Sequence, residues 1–327
     1  MSLTAIALLS GGLDSMLAIR ILQLQGVRIE ALNFRTQFAC CRETAARAAR
    51  LLEVPLSVLA EQDDYLDVVR RPKFGYGRGA NPCVDCRIYM FQRARAHLEA
   101  TGADLVVSGE VLGQRPMSQK RRDLLIIERH SGLEGRLLRP LSAQRLPPTL
   151  AEQSGAIDRG RLYDFTGRSR KGLIELARQF GFPEQEIPSP STGCMLTQQS
   201  FSPRVYDLIY QQPDNTRWDF ELLKIGRHLR YDERTKVVVG RRETENLQLQ
   251  RMAEEGSVRE ALCLVPHNFS GPTALVVGPA SPEVVDFAAG LILRFCRFDG
   301  AEAPLIRVEG EVREARRTES AEAAAML

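Results

Sequence analysis

Residues 6–15 read Ile-Ala-Leu-Leu-Ser-Gly-Gly-Leu-Asp-Ser, and this stretch decides the fold that we expect. A short apolar run enters a Ser-Gly-Gly turn, and apolar residues at near-helical spacing follow from Leu13 to Leu24. Gly11 and Gly12 let the backbone approach an anion and take conformations that are closed to other residues. The pattern predicts a strand, a tight turn and a helix whose free N–H groups favour phosphate.

Three oxygen-bearing side chains, Ser10, Asp14 and Ser15, flank the two glycines near the start of the predicted helix. No lysine follows the glycines, so the pattern is not the Walker P-loop. It resembles the Ser-Gly-Gly-x-Asp-Ser signature of the PP-loop ATP pyrophosphatases, which implies that the loop holds the β,γ-pyrophosphate of ATP while AMP is transferred. The resemblance places Ser10, Gly11, Gly12, Asp14 and Ser15 at the nucleotide. We expect Asp14 to be catalytic and to help place Mg²⁺; the alternative is a simple glycine turn.

Strand and helix patterns alternate outward from this loop, and the next strand is predicted over Val27–Phe34. The alternation predicts an α/β fold with a doubly wound, mainly parallel sheet, which forms a catalytic domain over residues 1–200. In such sheets, ligands bind at the carboxyl ends of the strands. We therefore expect Phe34, Ser108 and Gly109 to line the nucleotide site.

Beyond residue 200 the alternation breaks, and the rest of the chain has a different rhythm. We expect a linker over residues 201–222, a small α+β domain over 223–310 and a flexible tail over 311–327. Residues 239–277 resemble part of the RNA-binding domain of NFACT ribosome-quality-control proteins, without the strand tryptophan and following histidine of that family. The resemblance implies contact with tRNA. A dimerisation or structural domain is the alternative, which leaves a homodimer open.

Composition and charge narrow the class of protein. The net charge is only +3, so global charge does not argue for nucleic acid. No stretch is long and apolar enough to span a membrane, and the amino terminus lacks a signal-peptide layout. We therefore expect a cytoplasmic protein without membrane contacts. In that compartment the seven cysteines are predicted to be thiols or metal ligands rather than disulfides.

Three cysteines lie in two predicted loops. Cys83 and Cys86 belong to Asn-Pro-Cys-Val-Asp-Cys at the start of a predicted helix, and Cys194 ends Ser-Thr-Gly-Cys. A helix amino terminus lowers the pKa of a thiol, so we expect thiolates at the first two positions. The roles of Cys40 and Cys41, which follow the strand that ends at Phe34, stay open.

These cysteine motifs, together with residues 10–15, resemble those of the tRNA 2-thiouridylases. The resemblance implies that Cys86 and Cys194 transfer sulfur. The additional Cys83 resembles the iron–sulfur branch of the tRNA thiolases, which implies a [4Fe–4S] cluster on Cys83, Cys86 and Cys194 with one iron free to bind sulfide. A persulfide or disulfide pair, structural zinc and inert thiols are the alternatives. Closed zinc sites need a fourth ligand, and no histidine is spaced to supply it.

Taken together, the motifs predict an ATP-dependent tRNA sulfurtransferase that adenylates a uridine carbonyl and replaces its oxygen with sulfur from a sulfide or persulfide donor. Twelve basic residues are predicted to contact tRNA phosphates or to form a solvated face: Arg115, Lys120, Arg121, Arg122, Arg136, Arg139, Arg145, Arg159, Arg161, Arg168, Arg170 and Lys171. Two classes of alternative remain. One is a PP-loop enzyme for a small molecule, such as a deazaguanine nitrile synthase or a sacrificial sulfur transferase. The other is a non-catalytic RNA-binding factor.

Overall fold

The computed structural model describes residues 3–38, 44–190, 193–255, 260–298 and 302–327. Contacts divide the chain into two compact units, Met1–Gln198 and Gln199–Leu327. The pair Cys40 and Cys41 lies outside the described residues. In the described part of the chain, no helix combines the length and the apolar character needed to cross a membrane.

The first unit contains a five-stranded parallel sheet in the order β3-β2-β1-β4-β5. Its strands are β1 (Thr4–Leu8), β2 (Arg28–Arg35), β3 (Leu56–Ala60), β4 (Leu105–Val107) and β5 (Leu137–Leu138). Strands β2 and β3 lie on one side of β1, and β4 and β5 lie on the other, so the sheet is doubly wound. This topology confirms the α/β fold predicted from the sequence.

Seven α-helices lie in the described part of this unit. They are α1 (Leu13–Gln23), α2 (Thr44–Leu52), α3 (Asp64–Arg70), α4 (Cys83–Thr101), α5 (Arg121–Ser131), α6 (Leu150–Gln153) and α7 (Lys171–Gln179). One apolar cluster joins α1, α2 and α7 to one face, and a second joins α4 and α5 to the other. Because both faces are buried, the central strands are almost uniformly apolar.

The starts of two helices affect the site. Helix α4 begins at Cys83, so both cysteines of the Asn-Pro motif lie in its first turns, as the sequence predicted. No helix was predicted over residues 121–131, but they form α5, which packs against α4. Residues 121–123 are charged and follow a basic loop, which hid the start of this helix; its apolar stripe includes Leu124 and Ile127.

The second unit contains a six-stranded antiparallel sheet in the order β11-β10-β8-β9-β7-β6. Its strands are β6 (Arg227–Arg230), β7 (Lys236–Val239), β8 (Ala261–Pro266), β9 (Ala274–Val277), β10 (Leu305–Val308) and β11 (Glu311–Glu314). Its helices are α8 (Ser202–Gln211), α9 (Arg217–Leu222), α10 (Glu243–Glu254), α11 (Pro282–Arg294) and α12 (Glu319–Ala323). One apolar cluster contains residues of α11, and another contains residues of α10.

The structure differs from the predicted boundaries of this unit. The predicted linker, residues 201–222, forms α8 and α9 and belongs to the second unit. Within the predicted flexible tail, residues 311–327, β11 pairs with β10, and Met326 bridges to Leu229 of β6. Charged residues made this tail look solvated, but Ala315 and Ala321 are buried.

Candidate active site

The Ser-Gly-Gly turn connects β1 directly to α1, and its backbone is fixed from the neighbouring strand. The amide of Leu9 donates to the Leu32 carbonyl oxygen over 2.9 Å, and the buried Asn33 side chain donates to the Leu9 carbonyl oxygen over 2.8 Å. Sequence reasoning missed Asn33, although a polar residue at the end of an apolar strand was a usable signal. These bonds hold the turn at the carboxyl edge of the sheet.

Gly11 and Gly109 allow three segments of backbone to meet at this turn. Gly11 has φ +80°, and a Cβ there would lie 2.5 Å from the Thr44 carbonyl carbon at the start of α2. A Cβ on Gly109, which follows β4, would lie 2.5 Å from the carbonyl carbon of Asp14. No side chain fits such spacings, so both glycines are required by packing.

The predicted phosphate-binding side chains lie together at the start of α1. Ser10 Oγ and Ser15 Oγ are 3.3 Å apart, and the Gly12 amide donates to Ser10 Oγ over 3.3 Å. Asp14 accepts a hydrogen bond of 2.9 Å from Gln114 Nε2, so the loop after β4 reaches the turn. This arrangement offers hydroxyls, a carboxylate and a helix amino terminus to a phosphate and its metal ion.

The other two residues predicted at strand ends occupy different surroundings. Ser108 is buried, and its Oγ accepts a hydrogen bond from the Glu110 amide over 3.2 Å. Phe34 lies near the end of β2, where it packs partly buried against the apolar cluster under α4 and α5. Whether either residue contacts the nucleotide stays a prediction.

A buried ion cluster supports the loop that follows β4. Arg139 Nε lies 3.1 Å from Glu110, and Arg139 Nη1 lies 2.8 Å from Glu128. Arg87 approaches the second oxygen of Glu110 at 3.6 Å. Arg139 was predicted among the tRNA-binding cations, and that expectation is wrong because its side chain is almost fully buried and paired.

Two further predicted phosphate contacts also have internal roles. Arg145 pairs with Asp164 at 2.8 Å. The guanidinium of Arg136 donates to the carbonyl oxygens of Ala103 and Asp104. Both side chains therefore make polar contacts within the first unit.

Cys83 and Cys86 lie in the first turns of α4 beside neutral partners. Cys83 Sγ donates to Asn81 Oδ1 over 3.1 Å, and Cys86 Sγ is 3.4 Å from Tyr65 Oη. Burial raises the pKa of both thiols, and at Cys86 it outweighs the opposing effects of Tyr65 and Arg87. The expectation that the helix terminus would favour thiolates at these positions is therefore wrong.

Cys194 lies near the same tyrosine. Burial, followed by the charges of Cys86 and Cys194, raises the pKa of Tyr65 well above its ordinary value. Next to Cys194, the Met195 amide donates to the Phe38 carbonyl oxygen over 3.2 Å. The motif's Ser191 and Thr192 lie outside the described residues. Thus Cys86 and Cys194, which come from two distant segments, both lie near Tyr65, and Cys83 lies in the same first turns of α4 as Cys86.

The three cysteines do not form a ready metal site in this conformation. Among the described residues, no three or more His, Cys, Asp or Glu side chains are placed so that they could hold a metal ion. The Tyr65 hydroxyl lies against Cys86 Sγ, at hydrogen-bonding distance from the sulfur that a cluster would use. The [4Fe–4S] assignment to these cysteines therefore stays a prediction.

Arg115 connects the PP-loop to the cysteines. The positive charge of Arg87 and burial lower its pKa, while Cys83, Asp14 and Glu110 act in the opposite direction. Two guanidinium groups are therefore close enough to repel each other next to Cys83. An anionic group between them would relieve this repulsion.

Comparison with known proteins matches each unit to a different family. Residues 3–129 match the family model described as the tRNA methyl transferase HUP domain. Residues 226–326 match the model described as the NFACT protein RNA binding domain. Both resemblances predicted from the sequence are thus confirmed for these segments.

Individual relatives match part of this chain. A tRNA-specific 2-thiouridylase MnmA from Acidithiobacillus ferrooxidans is 31% identical over 119 residues, 32% of this chain and 33% of that protein. One from Syntrophotalea carbinolica is 30% identical over 115 residues, 31% of this chain and 32% of that protein. The match therefore spans about a third of the length of these relatives. A crystal structure of a 4-thiouridine synthetase–RNA complex with bound ATP aligns with a TM-score of 0.41 at 22% identity, covering 64% of this chain and 50% of that one.

Proposed function

We propose that the protein is an ATP-dependent tRNA sulfurtransferase that makes a thiouridine. The observation that carries this proposal is the proximity of two chemistries in one unit. Gln114 Nε2 donates to the Asp14 carboxylate of the PP-loop over 2.9 Å, and the next residue, Arg115, lies within electrostatic range of Cys83. The 31% identity to a 2-thiouridylase over 119 residues, the match of residues 3–129 to the tRNA methyl transferase HUP domain and the match of residues 226–326 to an RNA-binding family support tRNA as the acceptor.

The first half-reaction activates the uridine. The amides at the start of α1 and the hydroxyls of Ser10 and Ser15 bind the terminal phosphates of ATP, and Asp14 holds Mg²⁺ on them. The uridine carbonyl oxygen attacks the α-phosphorus, an O–P bond forms, and the bond to pyrophosphate breaks. The product is an O-adenylated base whose oxygen now leaves as AMP.

The second half-reaction introduces sulfur. A donor loads Cys86 or Cys194 as a persulfide, and the terminal sulfur attacks the activated carbon while the C–O bond to AMP breaks. The other cysteine then attacks the cysteine sulfur, and the thiouridine sulfur leaves with the electron pair. The resulting Cys86–Cys194 disulfide is reduced by an external dithiol before the next turnover.

A [4Fe–4S] cluster on Cys83, Cys86 and Cys194 is a second candidate sulfur carrier, favoured by the position of Cys86 and Cys194 near Tyr65 and of Cys83 in the same turns of α4 as Cys86. Three thiolates suit such a cluster and would leave one iron open to sulfide. Anaerobic purification followed by iron and acid-labile sulfide counts tests this candidate. About four of each per chain supports the cluster, and a metal-free protein that still transfers sulfur from a persulfide donor contradicts it.

The proposed reaction is tested by incubating the full chain with ATP, Mg²⁺, bulk tRNA and either sulfide or a persulfide donor. We expect AMP and pyrophosphate in equal amounts and a thiolated uridine in the digested tRNA. AMP formation that needs no RNA and proceeds with a small carboxylate or nicotinate acceptor would contradict the proposal and favour the small-molecule class.

A further inference from the structure

Two loops of the first unit touch each other beside the candidate active site. The first, residues 71–79, precedes α4; the second, residues 113–120, precedes α5. A Cβ on Gly77 would lie 3.1 Å from Met117 Cε, so Met117 packs directly against the first loop. We call these two segments the two-loop surface.

Both loops are anchored to residues of the candidate site. The Asp85 carboxylate, between Cys83 and Cys86, accepts hydrogen bonds from the amides of Lys73 and Phe74 over 2.9 and 3.0 Å. The second loop is tied to Asp14 through Gln114. It is closed by the buried Gln119, whose Oε1 accepts from the Arg115 amide over 3.0 Å. The two-loop surface is therefore built around the place where ATP and the thiols would meet.

The exposed side chains of this surface combine positive charge with apolar area. Phe74 and Met117 are 36% and 39% exposed, and the Phe74 ring packs edge-on against His130 at 5.1 Å. Five cations with exposed surface belong to the same two loops: Arg71, Lys73, Arg78, Arg115 and Lys120. Within the described ranges, none of these five forms an ion pair with a carboxylate.

We infer that the two-loop surface holds a single-stranded nucleotide of the RNA acceptor, with Phe74 and Met117 against its base and the surrounding cations on its phosphates. This inference rests on the proposed function and specifies where the first unit contacts RNA. Exposed aromatic and apolar groups within a cationic surface are typical of single-stranded nucleic-acid sites, because any base offers a face for stacking.

The inference is tested by fluorescence anisotropy of the full chain with labelled bulk tRNA and with a twelve-nucleotide single-stranded RNA over a range of salt concentrations. Phe74→Ala/Met117→Ala should weaken binding about tenfold without changing the salt slope, because a stacked base contributes without releasing ions. Lys73→Ala/Arg78→Ala should lower the slope for the short RNA by about 1.4, because two phosphate contacts are lost.

The matched control is Leu24→Ala/Arg28→Ala. Leu24 is 51% exposed, Arg28 is exposed, and both lie at the amino edge of the sheet, opposite the candidate site. Melting temperatures of all variants check that folding is intact. Binding by both loop variants within twofold of this control overturns the inference. The inference is also overturned if the loop variants lose as much affinity for polyglutamate as for RNA, because the surface would then be a site for acidic protein.

The outcome separates this inference from the proposed function. If the wild-type chain forms AMP on saturating tRNA but the loop variants keep their RNA affinity, the inference is overturned and the proposed function stands. Weaker RNA binding by the loop variants, with no RNA-dependent AMP formation by the wild type, would support the surface and contradict the proposed reaction. Absence of RNA binding by the wild-type chain would overturn the inference.

Discussion

The PP-loop and the cysteine group belong to the same unit, but they are built in opposite ways. The PP-loop is shaped by backbone: Gly11 and Gly109 let two neighbouring segments touch it. The cysteine group is shaped by side chains: Asn81 and Tyr65 contact Cys83 and Cys86, and burial raises the pKa of both thiols. On the proposed function, ATP would meet a site formed by backbone, whereas the thiols would need activation before sulfur transfer.

The largest expected effect is on sulfur incorporation, and it separates the role of the cysteine group from that of the PP-loop. Cys86→Ala and Cys194→Ala should each abolish sulfur incorporation while AMP formation stays within about twofold of wild type, because neither thiol is needed for attack on the α-phosphorus. The measurement is thiouridine and AMP from the same reaction. Cys263→Ala, in β8 of the second unit, is the control and should change neither product. Normal thiolation in both variants would contradict a role of Cys86 and Cys194 in sulfur transfer.

The second prediction concerns the PP-loop side chain that we place on Mg²⁺. Asp14→Ala should lower the rate of AMP formation at least about 100-fold, because the developing charge on the phosphates loses its metal clamp. The control is Asp67→Ala on α3, which removes an exposed carboxylate paired only with Arg70 in the ion pairs of the described chain. Adenylation at the wild-type rate in Asp14→Ala would show that another group holds the metal ion.

The third prediction tests whether the PP-loop is indeed a backbone site. Gly109→Ala should raise the Kd for ATP about tenfold and lower the free energy of unfolding by about 1–3 kcal/mol, because the new Cβ meets the Asp14 backbone. Gly26→Ala has open space around it and is strained only by its φ of +79°, so it should leave ATP binding unchanged. Calorimetric titration with ATP and denaturant unfolding measure the two effects. Equal ATP affinity in both variants would contradict the packing argument.

The smallest expected effect is on the reactivity of the thiols. Burial raises the pKa of Cys83 and Cys86, so their thiolates form only at higher pH than that of a free cysteine. Alkylation by iodoacetamide at pH 8 should be slower than for free cysteine and should keep rising at pH values where the free thiol has levelled off. Cys263, whose pKa burial raises to about 11, is the internal standard for a slow thiol. Faster alkylation of Cys86 than of free cysteine would overturn this description of the site.

Sequence patterns predicted the PP-loop and the sheet well because both depend on local rules. Alternating apolar runs specify a parallel sheet, and the Ser-Gly-Gly turn specifies a backbone shape. The same reasoning missed Asn33 and the Glu110–Arg139 pair, since their roles depend on residues from distant strands. A charge or amide inside an apolar strand end was the signal available for both.

The cysteine group illustrates the limit of motif reasoning. The motifs predicted roles for Cys83, Cys86 and Cys194, which stay predictions, and thiolates at Cys83 and Cys86, which burial opposes. A helix terminus favours a thiolate, while burial beside Tyr65 opposes it, and the balance depends on tertiary packing that the local sequence does not specify. The structured residues 311–327 illustrate the same point, because a charged tail pairs with β10 only where that edge is available.

The most direct test of the proposed two-step reaction is the ratio of AMP released to sulfur incorporated into tRNA in a single incubation with ATP and a persulfide donor. We expect a ratio of about one for the wild-type chain, AMP without sulfur for Cys86→Ala, and neither product for Asp14→Ala. Sulfur incorporation without AMP, or AMP formation that does not depend on tRNA, would contradict it.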